Sequence, residues 1–452
     1  MSVIAEDVIS FSSMLKMAYN FLSGNSYLKR KKFREKKKLI GVALPFSDLP
    51  YACGAIPVFP IRMEIFEVNK YVLALGSATN IFGWKNVTSF LGFLNKLKIK
   101  QIDQTIDTIV AEIIDTINKK YNQMYELGLA SGIPIDFCYG IKSLYGMHVS
   151  KGKNIDANLN FTIRCSAWNK YLESLKTIKN PVQQIWVDVP PRNVGNAFEL
   201  FVDNISNAVH ELEKITGITC TDNKLREHFE IRNQICSNYK TILYEISSSN
   251  FYPCNPAAFA EILSLLSISF QDFNSNVKTY LENIREMVRE MKERINKGIG
   301  MDCSNMPRIL ITPMFGGWEP LSHEIINELG GRTIYADWDM LGFLENIEFS
   351  RSSNPIEDYA RFIMNINTNY MGCDNDSLTN SYLRTAQKLK VDGLIFVQLY
   401  GCHSISNCYK LLRDKLRQLE IPSTALTFNK IGENVEQVKT RLGAFMEMVI
   451  KK

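Results

Sequence analysis

The segment Lys390–Arg413, with the sequence KVDGLIFVQLYGCHSISNCYKLLR, contains the strand, loop and helix pattern that decides the fold. Val391–Tyr400 is rich in β-branched and apolar residues, which indicates a buried strand. A loop follows at Cys402, and Ser404 or Ser406 is predicted to be the N-cap of an amphipathic helix. Cys402 is therefore predicted at the carboxyl end of a strand and before a helix N-terminus, where α/β sheets bind ligands and a thiolate is stabilised. The alternative interpretation is a buried and unreactive cysteine.

The composition is that of a globular protein with more than one domain. The chain has 452 residues, of which 46% are hydrophobic and 22% charged, enough for two or three domains with large cores. Its 52 Lys and Arg against 47 Asp and Glu give a net charge of +5, too small an excess to indicate nucleic-acid binding. The longest apolar runs, such as Phe259–Phe270, are interrupted by Glu and predict no membrane span. The N-terminus lacks a signal-peptide pattern, so we expect a cytoplasmic protein whose ten cysteines are thiols or metal ligands.

Patterns of apolar residues divide the chain into four parts. Residues 1–38 are predicted to be a helical extension, residues 39–194 an α/β domain, residues 195–305 a helical segment and residues 306–452 a second α/β domain. Strands alternate with helices in both α/β parts, which is typical of a doubly wound parallel sheet. The predicted fold class is therefore α/β, with two similar domains and a helical insertion. The extension ends in the basic run Leu28–Lys38, which is either a solvated helix face or a docking surface for an acidic partner.

Several motifs that would define an activity are absent from the sequence. The phosphate-binding loop G-x-x-x-x-G-K-S/T does not occur, so ATP hydrolysis is not expected. The chain also lacks the G-x-G-x-x-G loop of nicotinamide sites and the G-x-S-x-G motif of α/β-hydrolases. With five histidines and no C-x-x-C pair, a structural zinc site is not expected either. The remaining candidates for chemistry are cysteines at loop positions.

Three of these cysteines occupy loops that lead into predicted helices. Cys138 and Cys165 are 27 residues apart in the first α/β part, and Cys402 lies in the second. Thiolates from the two domains can meet in the cleft between them. Four cysteines usually hold a 4Fe–4S cluster, and three would leave one iron open to bind a substrate oxygen. Spacing alone does not distinguish such a site from three packed cysteines.

Four segments, taken in order, resemble the 2-hydroxyacyl-CoA dehydratase and benzoyl-CoA reductase family. The resemblance extends from about Leu39 to Lys452. The segments are LPYACGAIPV at Leu49–Val58, ITGITCTDNKLREHFEIRNQI at Ile215–Ile235, VDGLIFVQLYGCHS at Val391–Ser404 and VKTRLGAFMEMV at Val438–Val449.

The resemblance implies that each subunit holds a 4Fe–4S cluster on three cysteines, two from the N-terminal domain and one from the C-terminal domain. Cys138, Cys165 and Cys402 occupy those places. It also implies two flavodoxin-like domains, a paralogous second subunit or a homodimer, and a separate ATP-hydrolysing activator that donates one electron. The substrate would be an acyl-CoA whose thioester carbonyl binds the open iron and is reduced to a ketyl radical. Loss of a 2-hydroxyl group would follow in a dehydratase, and ring reduction in an aryl-CoA reductase.

The sequence departs from the family pattern at two loops. Where the family usually has Pro-Glu-Glu before its first short helix, this chain has Phe46-Ser47-Asp48. Where the family often has a Gly-x-Pro turn, this chain has Thr312–Phe315. These differences leave the substrate open and allow a relative with different chemistry.

Two other functions fit the same features. Some relatives carry a double-cubane 8Fe–9S cluster with more cysteine ligands, work as homodimers and reduce small molecules. Cys53, Cys373 and Cys408 would supply the extra thiols here, unless they are packing residues. The other function is that of a non-catalytic subunit, which relays electrons or completes a dimer. The cysteines interpreted as structural are Cys220, Cys236, Cys254 and Cys303.

Overall fold

The structure of the protein, a computed structural model, covers both predicted α/β parts. No helix in the described part of the chain is both long and apolar enough to cross a membrane. Cys373, one of the additional cysteines considered above, lies outside the described residues. The described residues are 11–42, 46–59, 62, 70–97, 104, 108, 112, 119–151, 154–162, 165–178, 181–191, 195–312, 320–335, 342–370, 375–430 and 433–451.

The strands of the described residues belong to three sheets, two of four strands and one of two. The first four strands in the chain form one large sheet and the last four the other, and each run was predicted as a strand from its apolar pattern. The strands are β1 Leu39–Val42, β2 Ile56–Val58, β3 Ala157–Thr162, β4 Gln183–Asp188, β5 Phe251–Tyr252, β6 Met301–Asp302, β7 Arg308–Thr312, β8 Arg332–Tyr335, β9 Gly393–Leu399 and β10 Ser423–Phe428.

Both four-stranded sheets are parallel and have the same strand order. The first runs β2-β1-β3-β4 and the second β8-β7-β9-β10, so each has the order 2-1-3-4 when its own strands are counted. Flavodoxin-like sheets begin with this order, and their ligand crevice lies beside the first and third strands, at the carboxyl ends. The predicted class, two flavodoxin-like parallel-sheet domains, is confirmed. The domain limits at residues 194 and 305 stay predictions.

Helices flank both sheets and fill the segment between them. In that segment Gly217 ends one helix with φ +70°, and the side chain of Thr221 caps the next by accepting from Lys224 N at 3.4 Å. The helices are α1 Ser12–Leu22, α2 Gly24–Phe33, α3 Asp48–Ala52, α4 Lys70–Phe82, α5 Trp84–Lys96, α6 Tyr139–Lys151, α7 Ser166–Ser174, α8 Ala197–Thr216, α9 Asp222–Lys240, α10 Pro256–Phe270, α11 Val277–Asn296, α12 Pro320–Glu328, α13 Pro355–Asn369, α14 Asn375–Lys388, α15 His403–Ser406, α16 Tyr409–Gln418 and α17 Val435–Ile450.

The helix after Cys402 begins earlier than predicted. The single turn α15 starts directly after Cys402, which is its N-cap residue, and the longer helix α16 follows Cys408. The prediction of Ser404 or Ser406 as N-cap is therefore wrong. The backbone N–H of Ser406 already donates to the Cys402 carbonyl at 3.1 Å, because the turn before Cys402 brings the chain into helical geometry there.

A buried carboxylate joins three separate parts of the chain. Asp48 is the first residue of α3, and its side chain is 1% exposed. His228 Nε2 lies 3.0 Å and Arg232 Nε 3.3 Å from Asp48 Oδ1, and both partners belong to α9. Arg232 also donates to the backbone carbonyls of Phe343 and Glu345 in the C-terminal half. The first sheet, the helical segment and the C-terminal half therefore share one desolvated charge network.

Replacing Asp48 with Asn is expected to lower the free energy of unfolding by about 3–5 kcal/mol, because the change leaves the Arg232 charge buried without its counter-charge. Urea unfolding under anaerobic conditions measures the loss. The exposed pair Lys278–Glu227 supplies the control, and Glu227→Gln is expected to change the free energy of unfolding by less than about 1 kcal/mol. Equally small effects in both variants would show that Asp48 does not neutralise Arg232.

Candidate functional site

The loop that carries Cys402 is a tight turn at the carboxyl end of β9. The backbone N–H of Cys402 donates to the Leu399 carbonyl at 2.9 Å, and Gly401 has φ +80°. Gly401 is the third residue of this four-residue turn. A positive φ at that position favours glycine, because a side chain is strained in the left-handed region. Cys402 therefore leaves the sheet at a fixed position, as the sequence predicted for a strand-end residue.

Gly401 lies against the loop that carries Cys138. A Cβ atom at Gly401 would lie 2.3 Å from the carbonyl oxygen of Asp136 and 2.9 Å from the backbone nitrogen of Cys138. The backbones of the two cysteine loops are therefore in direct contact, although one belongs to the first half of the chain and the other to the second. The structure brings the predicted residues Cys138 and Cys402 into neighbouring loops.

Cys138 lies at the N-terminus of α6, and its side chain is 7% exposed. Burial raises the pKa of the Cys138 thiol to about 11, while the backbone N–H groups of Ile141 and Gly140 oppose this rise by bonding to the sulfur. The negative charge of a Cys165 thiolate also raises this pKa. Only a compensating positive charge, such as a metal, would hold this thiol ionised at neutral pH.

Cys165 follows β3 and is the N-cap residue of α7. Its sulfur accepts from the backbone N–H of Trp168 at 3.4 Å, and the thiol is partly exposed. The Trp168 indole donates to the Phe161 carbonyl at 3.2 Å, which ties the first turn of the helix to the end of the strand. The strand and the cap together fix the direction of this thiol.

One hydrophobic cluster lies beneath all three cysteines. Cys138 is a buried member of this cluster. The other two, Cys165 and Cys402, are partly buried and pack against it. Its other members come from both halves of the chain, including Tyr171 on α7 and Ile395 on β9. In the described part of the chain, no three His, Cys, Asp or Glu side chains are arranged to hold a single metal ion.

Lys142 is a polar neighbour of Cys138 that the sequence analysis missed. It lies one helical turn after Cys138, and its side chain is 4% exposed. Burial lowers the pKa of Lys142, whereas negative charge at Cys138 and Asp136 opposes that effect. Its Nζ lies 5.3 Å from the centre of the Tyr125 ring, a cation–π contact. Lys142 follows Cys138 by four residues, a spacing that places two side chains on the same side of a helix, so the sequence contained a signal for this proximity.

The other cysteines have different surroundings. Cys53, considered as an additional cluster ligand, is fully buried, and the Cys220 thiol and burial raise the pKa of the Cys53 thiol. Cys408, considered in the same way, is fully buried in the other large hydrophobic cluster. The side chain of His403, next to Cys402, lies outside the described residues. The remaining described cysteines are buried in the core and are Cys236, Cys254 and Cys303.

A family model described as 2-hydroxyglutaryl-CoA dehydratase, D-component, matches residues 107–449. The chain belongs to this family. The matched residues include Cys138, Cys165 and Cys402, so the resemblance inferred from four short segments is confirmed over most of the chain. A comparison with the curated proteins finds no match.

Membership in the 2-hydroxyglutaryl-CoA dehydratase D-component family defines the general role of the chain. It is a subunit of the 2-hydroxyacyl-CoA dehydratase type, an enzyme component rather than a binding module. A protein that is one component of a dehydratase has a partner subunit or an activator.

A non-glycine residue in the left-handed region costs about 1–3 kcal/mol. Replacing Gly401 with Ala is expected to lower the free energy of unfolding by more than this, because the new methyl group also clashes with the backbone of residues 136–138. Gly330→Ala is the matched control, since Gly330 has φ +82° and no atom within 4 Å of an added Cβ. Thermal and urea unfolding of both variants measure the difference. Equal losses would contradict the contact between the two cysteine loops.

Proposed function

We propose that the chain is the iron–sulfur subunit of a radical acyl-CoA enzyme of the 2-hydroxyacyl-CoA dehydratase type. Cys138, Cys165 and Cys402 would hold a 4Fe–4S cluster. The observation that carries this proposal is the contact of Gly401 with residues 136–138, because it joins the cysteine loops of the two halves. The hydrophobic cluster that contains Cys138 and that Cys165 and Cys402 both pack against supports Cys165 as the third ligand.

The donor groups fit an iron–sulfur cluster better than a single ion. All three are thiols, the side chains that iron–sulfur clusters prefer, and each would bind a different iron of the cluster. Backbone N–H groups already point at the sulfurs of Cys138 and Cys165, and such hydrogen bonds tune cluster potentials.

The roles of the protein groups follow from their positions. When bound, a 4Fe–4S cluster with one open iron supplies a single electron to the carbonyl of a CoA thioester. Cys138, Cys165 and Cys402 supply negative charge, which the Lys142 ammonium near Cys138 partly balances. The hydrophobic cluster beneath the three cysteines keeps water away from that side of the site. Dehydratase chemistry is favoured over ring reduction by the family that the chain belongs to.

The electron source is proposed to be a separate protein. The chain has no phosphate-binding loop and no nicotinamide loop, so it lacks the usual means of driving a reduction by itself. An ATP-hydrolysing activator would donate the electron, and a paralogous subunit or a second copy of the chain would complete the enzyme. The double-cubane alternative is less favoured, because Cys53 and Cys408 are fully buried members of the other large hydrophobic cluster, whereas Cys402 is partly exposed and only packs against it.

We expect the anaerobically purified protein to contain about four irons per chain, with matching sulfide, as one cubane cluster requires. Cys402→Ser is expected to lose the cluster and its visible absorption. Cys236→Ser is the matched control and is expected to keep both, because Cys236 is fully buried in α9 beside Arg232. Iron analysis and absorption spectra measure these outcomes.

Three results would argue against this assignment. About eight irons per chain would favour the double-cubane cluster. Colourless protein after anaerobic reconstitution with iron and sulfide would exclude both clusters. An unchanged spectrum in Cys402→Ser would remove Cys402 from the ligand set.

A dehydratase returns its electron at the end of each cycle, whereas a reductase consumes it. We therefore expect little turnover of acyl-CoA by the isolated chain with a chemical reductant, and full turnover after adding its partner subunit, the activator, ATP and magnesium. The ratio of ATP hydrolysed to product formed decides the reaction class. A ratio well below one indicates a dehydratase, and a constant ratio of one or more indicates a reductase. Turnover by the isolated chain would contradict the need for an activator.

A further inference from the structure

A cavity of about 310 Å³ lies where the N-terminal helices α1 and α2 meet the start of α11. Its wall is polar and aromatic, with Tyr19, Tyr27 and Arg30 on one side and Asn274 and Asn283 on the other. Among the described residues, this wall has one cation and no carboxylate. The residues from α1 and α2 precede residue 107, where the match to the dehydratase family begins, so the family match does not account for this cavity.

Two buried asparagines of this wall have amide groups without a hydrogen-bond partner. Asn283 is fully buried on α11, and Asn274 is 6% exposed. Among the described residues, neither the Nδ2 nor the Oδ1 atom of either side chain bonds to another protein group. A buried amide without a partner is costly, so these side chains call for a polar ligand. Each amide places a donor beside an acceptor, the pair of groups with which Asn binds the N6 and N7 edge of adenine.

A strained turn carries one of these asparagines. Phe273, Asn274 and Ser275 have φ +49°, +52° and +59°, so three successive residues other than glycine are left-handed. Arg62 Nη1 lies 2.5 Å from Asp272 Oδ2 and donates to Ser275 Oγ at 2.9 Å, and these buried bonds hold the turn. Strain of this kind persists only where neighbouring contacts impose it, and it is concentrated at ligand-binding sites.

A second cavity, of about 480 Å³, borders the first. Tyr27 and Asn276 line both cavities. The wall of the second also includes Val277 and Lys278, the first two residues of the 20-residue helix α11. The N-terminus of a helix favours anions, and phosphate groups above all, because its first backbone N–H groups and its dipole both point at the ligand.

Positive charge also exceeds negative charge in the wall of the second cavity. Four lysines and one glutamate line it. Lys31 pairs with Glu35 at 2.6 Å, and Lys278 pairs with Glu227 at 3.4 Å. The other two lysines have no carboxylate partner in the part of the chain that the structure describes, so the wall keeps a positive charge that suits phosphate. The lysines are Lys31, Lys37, Lys224 and Lys278.

We propose that the two cavities together bind a free purine nucleotide, at a site separate from the proposed cluster. The base lies in the first cavity, against the amides of Asn274 and Asn283 and the tyrosine rings. The phosphates lie in the second cavity, at the N-terminus of α11 and among the lysines. Tyr27 and Asn276, which line both cavities, border the ribose. This site rests on its own residues and not on the proposed function.

A nucleotide at this place would strengthen the contact of the N-terminal helices with α11. The Glu290 carboxylate of α11 already accepts from the backbone N–H groups of Ser12 and Ser13 at 2.9 and 3.1 Å, which fixes the start of α1. The nucleotide would join the end of α1 and the helix α2 to the start of α11. A ligand that binds only the folded protein raises its unfolding temperature, so ATP is expected to raise the Tm.

The first experiment titrates the full-length, anaerobically purified protein with ATP, AMP and adenosine by calorimetry. We expect ATP to bind more tightly than AMP, and AMP more tightly than adenosine, with differences that shrink at high salt because the lysines are screened. CoA is expected not to displace ATP, because half of the wall lies outside the family match. No binding of ATP, equal affinities for ATP and adenosine, or displacement by CoA would overturn the proposal.

Variants of the wall test the base and phosphate positions separately. Asn283→Leu and Asn274→Gly, the latter chosen to keep the left-handed turn, are each expected to weaken ATP binding by at least about tenfold. Lys37→Gln is expected to weaken the binding of ATP but not of adenosine. Lys439→Gln, at an exposed pair on α17, is the matched control and is expected to change neither. Unchanged ATP affinity in the two asparagine variants would place the nucleotide elsewhere.

Two further measurements distinguish a ligand-binding role of Asn283 from a structural one. Without ligand, Asn283→Leu is expected to have the same Tm as the wild type or a higher one, because an apolar group replaces a buried amide without a partner. A lower Tm would show that the amide is satisfied within the protein and would overturn its role.

Photolabelling of the wild type with 8-azido-ATP locates the site even if a variant folds poorly. The label is expected on peptides that contain residues 19–30 or 274–283, and unlabelled ATP is expected to prevent it. Labelling confined to other peptides would overturn the assignment. The result does not depend on iron, so a failure here is distinct from a failure of the cluster proposal.

Discussion

The buried charge of Asp48 is the interaction on which the relation between the parts of this protein depends. Its partners His228 and Arg232 belong to the helical segment, and Arg232 also reaches backbone carbonyls in the C-terminal half. Separating a charge at this depth from its partners is costly, so the three parts are held in one arrangement. That arrangement lets the Cys402 loop of the second sheet meet the Cys138 loop of the first.

The two sheets supply matching positions for two of the three cysteines. Cys165 follows β3 and Cys402 follows β9, and these are the third strands of sheets with the same order. The carboxyl end of that strand borders the ligand crevice in flavodoxin-like sheets. A repeated topology thus supplies equivalent strand-end positions in the two sheets. Cys138 breaks the symmetry, since it precedes a helix rather than ending a strand.

Local patterns predicted most of this fold, and contacts between distant residues account for what was missed. The eight strands of the parallel sheets were predicted, because apolar runs bounded by turns are a local signal. The position of Cys402 at a strand end followed in the same way. The bonds of Asp48 to His228 and Arg232 were not predicted, because they join residues far apart in the sequence. Their proximity depends on how α3 packs on α9, which no local pattern encodes.

The cysteines of this chain show that surroundings, not residue type, determine what a thiol can do. Cys138 is buried with backbone N–H groups on its sulfur, so it is poised to bond to a metal and costly to ionise without one. The Cys53 thiol and Lys224 lower the pKa of the Cys220 thiol, against the effect of burial. Cys236 contacts the Arg232 guanidinium in a closed core and has access to neither a ligand nor an oxidant. The sequence alone therefore does not show which thiols can bind a ligand, because that depends on how each one is packed.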